Sequence, residues 1–197
     1  WYSNLNAKGR FENMQSVTDE VKMMMDPNVD PFAAPPEGAE VKEPERFGAK
    51  DVNDLNWVNV MNAYTCTECG RCTDMCPANK TGKLLSPRKI MMDTRDRAEE
   101  IGANIDANGE FKDDGKFLLD TYITREELWA CTSCNACTEA CPINIDPLSI
   151  IMQMRQYLVM EESAAPQELN IMMTNVENNS APWQFNQMDR LNWKDEM

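Results

Sequence analysis

Apolar positions recur at helical spacing in several separate stretches of the chain, divided by Pro, Gly, Asn and Asp. A first short helix is expected to end at Val21, Lys22, Met23, Met24 and Met25, where Asp26 and Pro27 stop it. Residues 27–50 are rich in Pro, Ala and acid and read as an extended linker. From Asp51 the period becomes helical, with Leu55, Val58, Met61, Ala63 and Tyr64 near one face. Ser86 and Pro87 form an N-cap and first-turn pair that opens a helix through Ile90, Met91, Arg95 and Glu99, expected to end near Gly102. Residues 104–116, with Asn108-Gly109 and Asp114-Gly115, read as a turn-rich excursion or small hairpin. Thr124 and Glu127 make a capping box for a short helix through Leu128 and Trp129. Asp146-Pro147 caps another helix that carries Ile150, Ile151, Met154, Tyr157, Leu158 and Met160. A last helix is expected over residues 166–176, followed by an irregular tail whose Trp183, Phe185 and Trp193 either cover the core or insert into a partner. The pattern predicts a mainly α protein with an N-terminal extension and linker over 1–50, a helical domain over 51–162 and a C-terminal helix and tail over 163–197.

The chemistry lies between these helices. All eight cysteines of the chain fall in two runs, Cys66, Cys69, Cys72, Cys76 and Cys131, Cys134, Cys137, Cys141, each followed by a proline. Both read C-x2-C-x2-C-x3-C-P, the spacing of bacterial-type ferredoxins that hold [4Fe–4S] clusters. A tight loop with a cysteine every third residue supplies three converging thiolates. The fourth, displaced by one more residue and set extended before proline, points to the other site. The expected ligand sets are therefore Cys66, Cys69, Cys72 and Cys141 for one cluster, and Cys131, Cys134, Cys137 and Cys76 for the other. Disulfides between cysteines so close in sequence would be strained, and zinc sites use two separated pairs instead of two four-cysteine runs. The chain contains no histidine, which removes Rieske-type ligation, histidine-ligated haem and histidine-based catalysis.

The 197 residues carry a formal charge of −14, to which two clusters would each add about two negative charges. That balance argues against nucleic acid as a partner. No run of eighteen apolar residues and no secretory signal is present. Trp1 in the place of an initiator Met implies a truncated or processed chain, and Trp1-Tyr2 reads equally as an ordinary exposed terminus or as the interfacial end of a preceding membrane helix. Other motifs are weaker. Thr81-Gly82-Lys83 lacks the first glycine and the strand of a phosphate-binding loop, and Asn104, Asp106 and Asn108 lack the final acid of a calcium loop. Met91, Met92, Met152 and Met154 are expected to fill gaps around the clusters. Lys83, Arg88, Lys89, Arg95 and Arg97 form a basic face explained equally by surface ion pairs or by an acidic partner.

The two halves repeat: a helix, an aromatic residue two before the first cysteine (Tyr64, Trp129), a cysteine run, a capping residue with proline, and a long helix. An approximate two-fold symmetry is the expectation. The two cysteine runs, Ser86-Pro87-Arg88-Lys89-Ile90 and Cys141-Pro142-Ile143-Asn144-Ile145-Asp146-Pro147 resemble the α-helical ferredoxin domain of the heterodisulfide reductase C family, over residues 53–162. That resemblance implies two [4Fe–4S] clusters relaying single electrons inside a larger oxidoreductase complex, with no catalytic residue or substrate site of the chain's own. It further implies other redox proteins as partners, among them a heterodisulfide reductase B-like iron–sulfur protein and a membrane portion that handles quinone, and a cytoplasmic location at the membrane face. The rival function is a structural module in which clusters or zinc only staple a helical scaffold.

Overall fold

A computed structural model describes residues 18, 21–22, 25–27 and 46–194. Thr18, Val21, Lys22 and Met25 are helical and Pro27 lies in a turn. The expected linker over 28–45 and the Trp1-Tyr2 end lie outside the described residues. The chain divides into two units, Trp1–Tyr157 and Leu158–Met197.

The first unit is built from helices, with no strand among the described residues and one isolated bridge between Leu119 and Ile123. After a 3-10 turn at Val52–Asp54 come α1 (Trp57–Thr65), two short helices, α2 (Arg71–Asp74) and α3 (Pro77–Lys80), and the long α4 (Pro87–Asn108). An irregular turn at Leu118–Tyr122 leads to α5 (Arg125–Ala130), α6 (Ala136–Ala140) and α7 (Pro147–Met160). The start signals seen in the sequence act as expected. The Ser86 hydroxyl accepts from the Lys89 amide at 3.4 Å, Asp146 accepts from the amides of Leu148 and Ser149, and Thr124 and Glu127 form a reciprocal capping box.

The core is apolar and formed mainly by Ile90, Met91, Leu118, Leu119, Ile123, Leu128, Ile150, Ile151 and Met154, all nearly without exposed surface. Crossing it is Arg97, whose side chain is 0% exposed. Its guanidinium bonds both Asp51 oxygens, both Asp114 oxygens and the Lys116 carbonyl. Asp51 also accepts from the Leu118 amide at 3.0 Å. One buried cation thus ties the entry turn, α4 and the loop after α4 together. Arg97 therefore leaves the basic face expected from sequence, because two carboxylates distant in the chain draw it inward.

Three further expectations change. Helix α4 runs through Gly102 and stops at Gly109, which takes the left-handed conformation that ends helices (φ 82°). A lone interior glycine costs only about 1 kcal/mol. Residues 109–116 form a loop, not a hairpin: Asn104 accepts from the Lys112 amide and donates to its carbonyl. Helix α1 buries Asn59 and Ala63 and packs them on α4, while Trp57, Val58, Met61 and Tyr64 are exposed. The small Ala63 permits the close approach that the longer side chains would block.

The second unit contains α8 (Gln167–Asn179) and a 3-10 helix at Gln187–Lys194. Buried Asn175 donates to the Pro182 carbonyl, and Arg190 bonds the carbonyls of Asn179 and Ser180. Trp183, Phe185 and Trp193 are all more than half exposed. None of the described helices is long and apolar enough to cross a membrane.

Candidate metal centre

Each cysteine run begins where a helix ends. Cys66 caps α1 with φ −65° and ψ 119°, and Cys131 caps α5 with φ −70° and ψ 125°. Both loops then turn through two left-handed residues, Glu68 and Gly70 in the first, Ser133 and Asn135 in the second, with φ between 55° and 82°. Only glycine takes such angles freely, and Asn more readily than other residues. The reversal feeds a short helix that carries the third cysteine, Cys72 in α2 and Cys137 in α6. The fourth cysteine is extended before its proline, at φ −72° and ψ 120° for Cys76 and φ −77° and ψ 121° for Cys141. The sequence repeat is thus a repeat of backbone conformation, and α2 and α6, equivalent in the two halves, pack against each other.

The helix caps reinforce both loops in the same way. Thr73, after the third cysteine of the first run, shares a 2.9 Å hydrogen bond with the Ser86 cap. Thr138, its counterpart, donates to the Asp146 cap at 3.1 Å. Each long helix is thereby fastened by its first turn to the loop it follows.

Two cavities result. The first, about 400 Å³ including its mouth, is lined by Cys66, Cys69, Cys72 and Cys141 with Met91, Ile145 and the half-exposed Ile143. The second, about 320 Å³, is lined by Cys76, Cys131, Cys134 and Cys137 with Leu85, Pro87, Leu148 and Ile151. Each cavity draws three cysteines from one run and one from the other. Of the expected gap-filling methionines, Met91 lines the first cavity and Met154 is buried, whereas Met152 is exposed beside the Ser133 hydroxyl.

The residues present suit a cubane cluster. Apolar side chains form much of the remaining wall, with Glu68 and Arg88 also lining the first cavity and Cys69 and Cys134 exposed to solvent. The Ser133 amide donates to the Cys131 sulfur and the Ile145 amide to the Cys141 sulfur, each at 3.4 Å, the kind of bond that stabilises an anionic thiolate–iron core. Among the described residues no three Cys, Asp or Glu side chains gather round a single-ion position. Burial pushes the Cys137 thiol up to about 12, with smaller opposing help from Thr138, and burial also raises Cys72 and Cys131. An iron centre bound there would have to displace these protons to gain its thiolate ligands.

Two arginines that the cysteine pattern did not single out for this site touch the loops. Arg95 of α4 bonds Glu68 at 2.7 Å. Arg155 of α7 donates to the carbonyls of Leu128 and Cys131 and to the Ser133 hydroxyl, and its guanidinium stacks on Trp129 at 5.0 Å. Arg155 had a sequence signal: it stands as far beyond Pro147 as Arg95 stands beyond Pro87.

Residues 62–145 match the 4Fe-4S dicluster domain family. The chain is 32% identical to a probable iron-sulfur-binding oxidoreductase, FadF, of Bacillus subtilis, over 77% of this chain and 26% of that protein. It is 33% identical to an EtfAB:quinone oxidoreductase of Syntrophomonas wolfei, over 79% of this chain and 24% of that protein. With a heterodisulfide reductase C-like protein of Archaeoglobus profundus it shares 26% identity, over 62% of this chain and 53% of that one. The chain spans about a quarter of the length of the first two relatives.

Proposed function

We propose that this chain, whose residues 62–145 belong to the 4Fe-4S dicluster domain family, is the electron-relay part of a larger oxidoreductase. The observation that carries this reading is the pair of four-cysteine cavities, set side by side through α2 and α6. When bound, a [4Fe–4S] cluster takes up and passes on one electron at a time. The chain's residues do the rest. Cys66, Cys69, Cys72 and Cys141 hold one cluster, and Cys131, Cys134, Cys137 and Cys76 the other. Loop amides donate to the sulfurs, and apolar side chains line much of each site. Because four cysteines satisfy each cubane, no iron is left open for a substrate, and the chain relays without catalysing.

The relatives' greater length supports a further redox module, in the same chain or a partner, as donor or acceptor. A heterodisulfide reductase B-like protein and a quinone-reactive membrane portion at the cytoplasmic face are the partners proposed, from the resemblance and from the quinone named for one relative.

Oxygen-protected protein should contain about eight irons and eight sulfides per chain. Zinc in their place would overturn the reading. The crossed ligation has its own test in paired substitutions. Cys76→Ser with Cys134→Ser strikes one cavity twice and should leave about half the iron, whereas Cys76→Ser with Cys69→Ser strikes both and should remove nearly all. The reverse result would show that each run supplies its own four ligands.

A further inference from the structure

The arginine contacts with the two loops occupy equivalent places in the repeat, yet their chemistry differs. In the first half, Arg95 pairs with the carboxylate of Glu68, the residue two beyond Cys66 (2.7 Å), and with neighbouring Asp96. Glu68 itself lines the first cavity. In the second half the residue two beyond Cys131 is Ser133, and Arg155 reaches its hydroxyl at 3.3 Å and the Cys131 carbonyl at 2.5 Å. Among the described residues no carboxylate pairs with Arg155. The guanidinium is half-buried and rests on Trp129, so solvent screens it incompletely. Through the Cys131 carbonyl it lies against the backbone of the cysteine that opens the second run.

Adding an electron to a thiolate-ligated cluster makes an anionic site more negative. A nearby positive charge favours that step and a nearby carboxylate opposes it. Resting on the relay reading above, we propose that this repeated contact tunes the two clusters separately: Arg155 is a positioning residue that raises the reduction potential of the cluster in the Cys131 cavity, while Glu68 cancels Arg95 and withholds the same effect from the cluster in the Cys66 cavity. Other charges lie near each site. Arg88 stands at the rim of the first cavity but is exposed, and Asp146 meets Thr138, the residue after Cys137, but spends its charge on that hydroxyl and on two amides at the start of α7. Both are left unchanged in the variants below, so the differences measured belong to the arginine contacts.

The experiment is a redox titration of the intact, cluster-loaded protein, followed by the electron paramagnetic resonance of the reduced clusters. Arg155→Met should lower one of the two midpoint potentials and leave the other in place, and Arg155→Lys should restore most of that shift. Glu68→Gln should raise the other midpoint. If Arg155→Met fails to hold its cluster, Ser133→Glu provides the same test with the arginine kept, by opposing its charge with a carboxylate, and should lower the same midpoint. Loaded variants whose two midpoints match the unsubstituted protein, or which shift opposite to these directions, overturn the proposal. An unsubstituted protein that holds no clusters overturns the relay reading instead.

Discussion

Arg97 shows how much a single side chain can hold together. A guanidinium with no exposed surface is tolerable only because Asp51, Asp114 and the Lys116 carbonyl take up its donors, in the planar geometry that suits Arg and not Lys. Arg97→Met would leave Asp51, itself 7% exposed, as an unpaired buried charge, and should cost about 3–5 kcal/mol in denaturant unfolding. The arginine also holds Asp114 down to about 2 from its ordinary 3.8, chiefly through its hydrogen bond to the carboxylate. A carboxylate so lowered contributes stability that is complete above its ordinary value and is lost as the pH falls towards about 2. The gap in unfolding midpoint between the unsubstituted protein and Asp114→Asn should accordingly be constant near neutrality and shrink below about pH 4. A gap that widened in acid would contradict this sign. None of these partnerships was legible in the sequence, because Asp51 and Arg97 lie far apart in the chain. The eight cysteines, by contrast, marked out both loops, since their spacing is itself the geometry of the turn.

At the scale of elements, local signals were the readable ones. Ser86, Thr124 and Asp146 cap their helices as expected, for a capping side chain needs only its own first turn. The face that a helix buries depends on its neighbours, which is why α1 turns its apolar stripe outward and Ala63 inward. The end of α4 is hidden in the sequence for a related reason: Gly102 and Gly109 look alike there, and only Gly109 adopts a left-handed backbone. Gly48 is stricter still. It is left-handed (φ 72°), and a Cβ there would lie 2.2 Å from the Gln153 carbonyl oxygen and 2.5 Å from the Tyr157 amide, backbone atoms of α7 that cannot move aside cheaply. Gly109 is also left-handed, but nothing stands within 4 Å of such a Cβ. Gly109→Ala should therefore cost about 1 kcal/mol from conformation alone, and Gly48→Ala distinctly more, read as the larger fall in melting temperature. Equal falls would mean that the entry segment does not press on α7.

For the first unit as a whole, two kinds of glue serve different regions. The apolar core with Arg97 at its heart holds α4 and its neighbours without iron, while the cysteine loops contain little besides short helices and left-handed turns. The region around α2 and α6 should depend on iron for its order. Chelating the metal should speed amide hydrogen exchange in residues 66–76 and 131–141 far more than in the middle of α4. Uniform loss of protection would instead make the clusters the keystone of the entire unit.

Because each cavity borrows one sulfur from across the molecule, the two repeats are bound to one another by more than packing. A copy of the gene that kept only one of them would leave an incomplete ring of three thiols, with the fourth facing nothing. Losing either half would therefore take the second site with it, so the pair can only be kept or lost together.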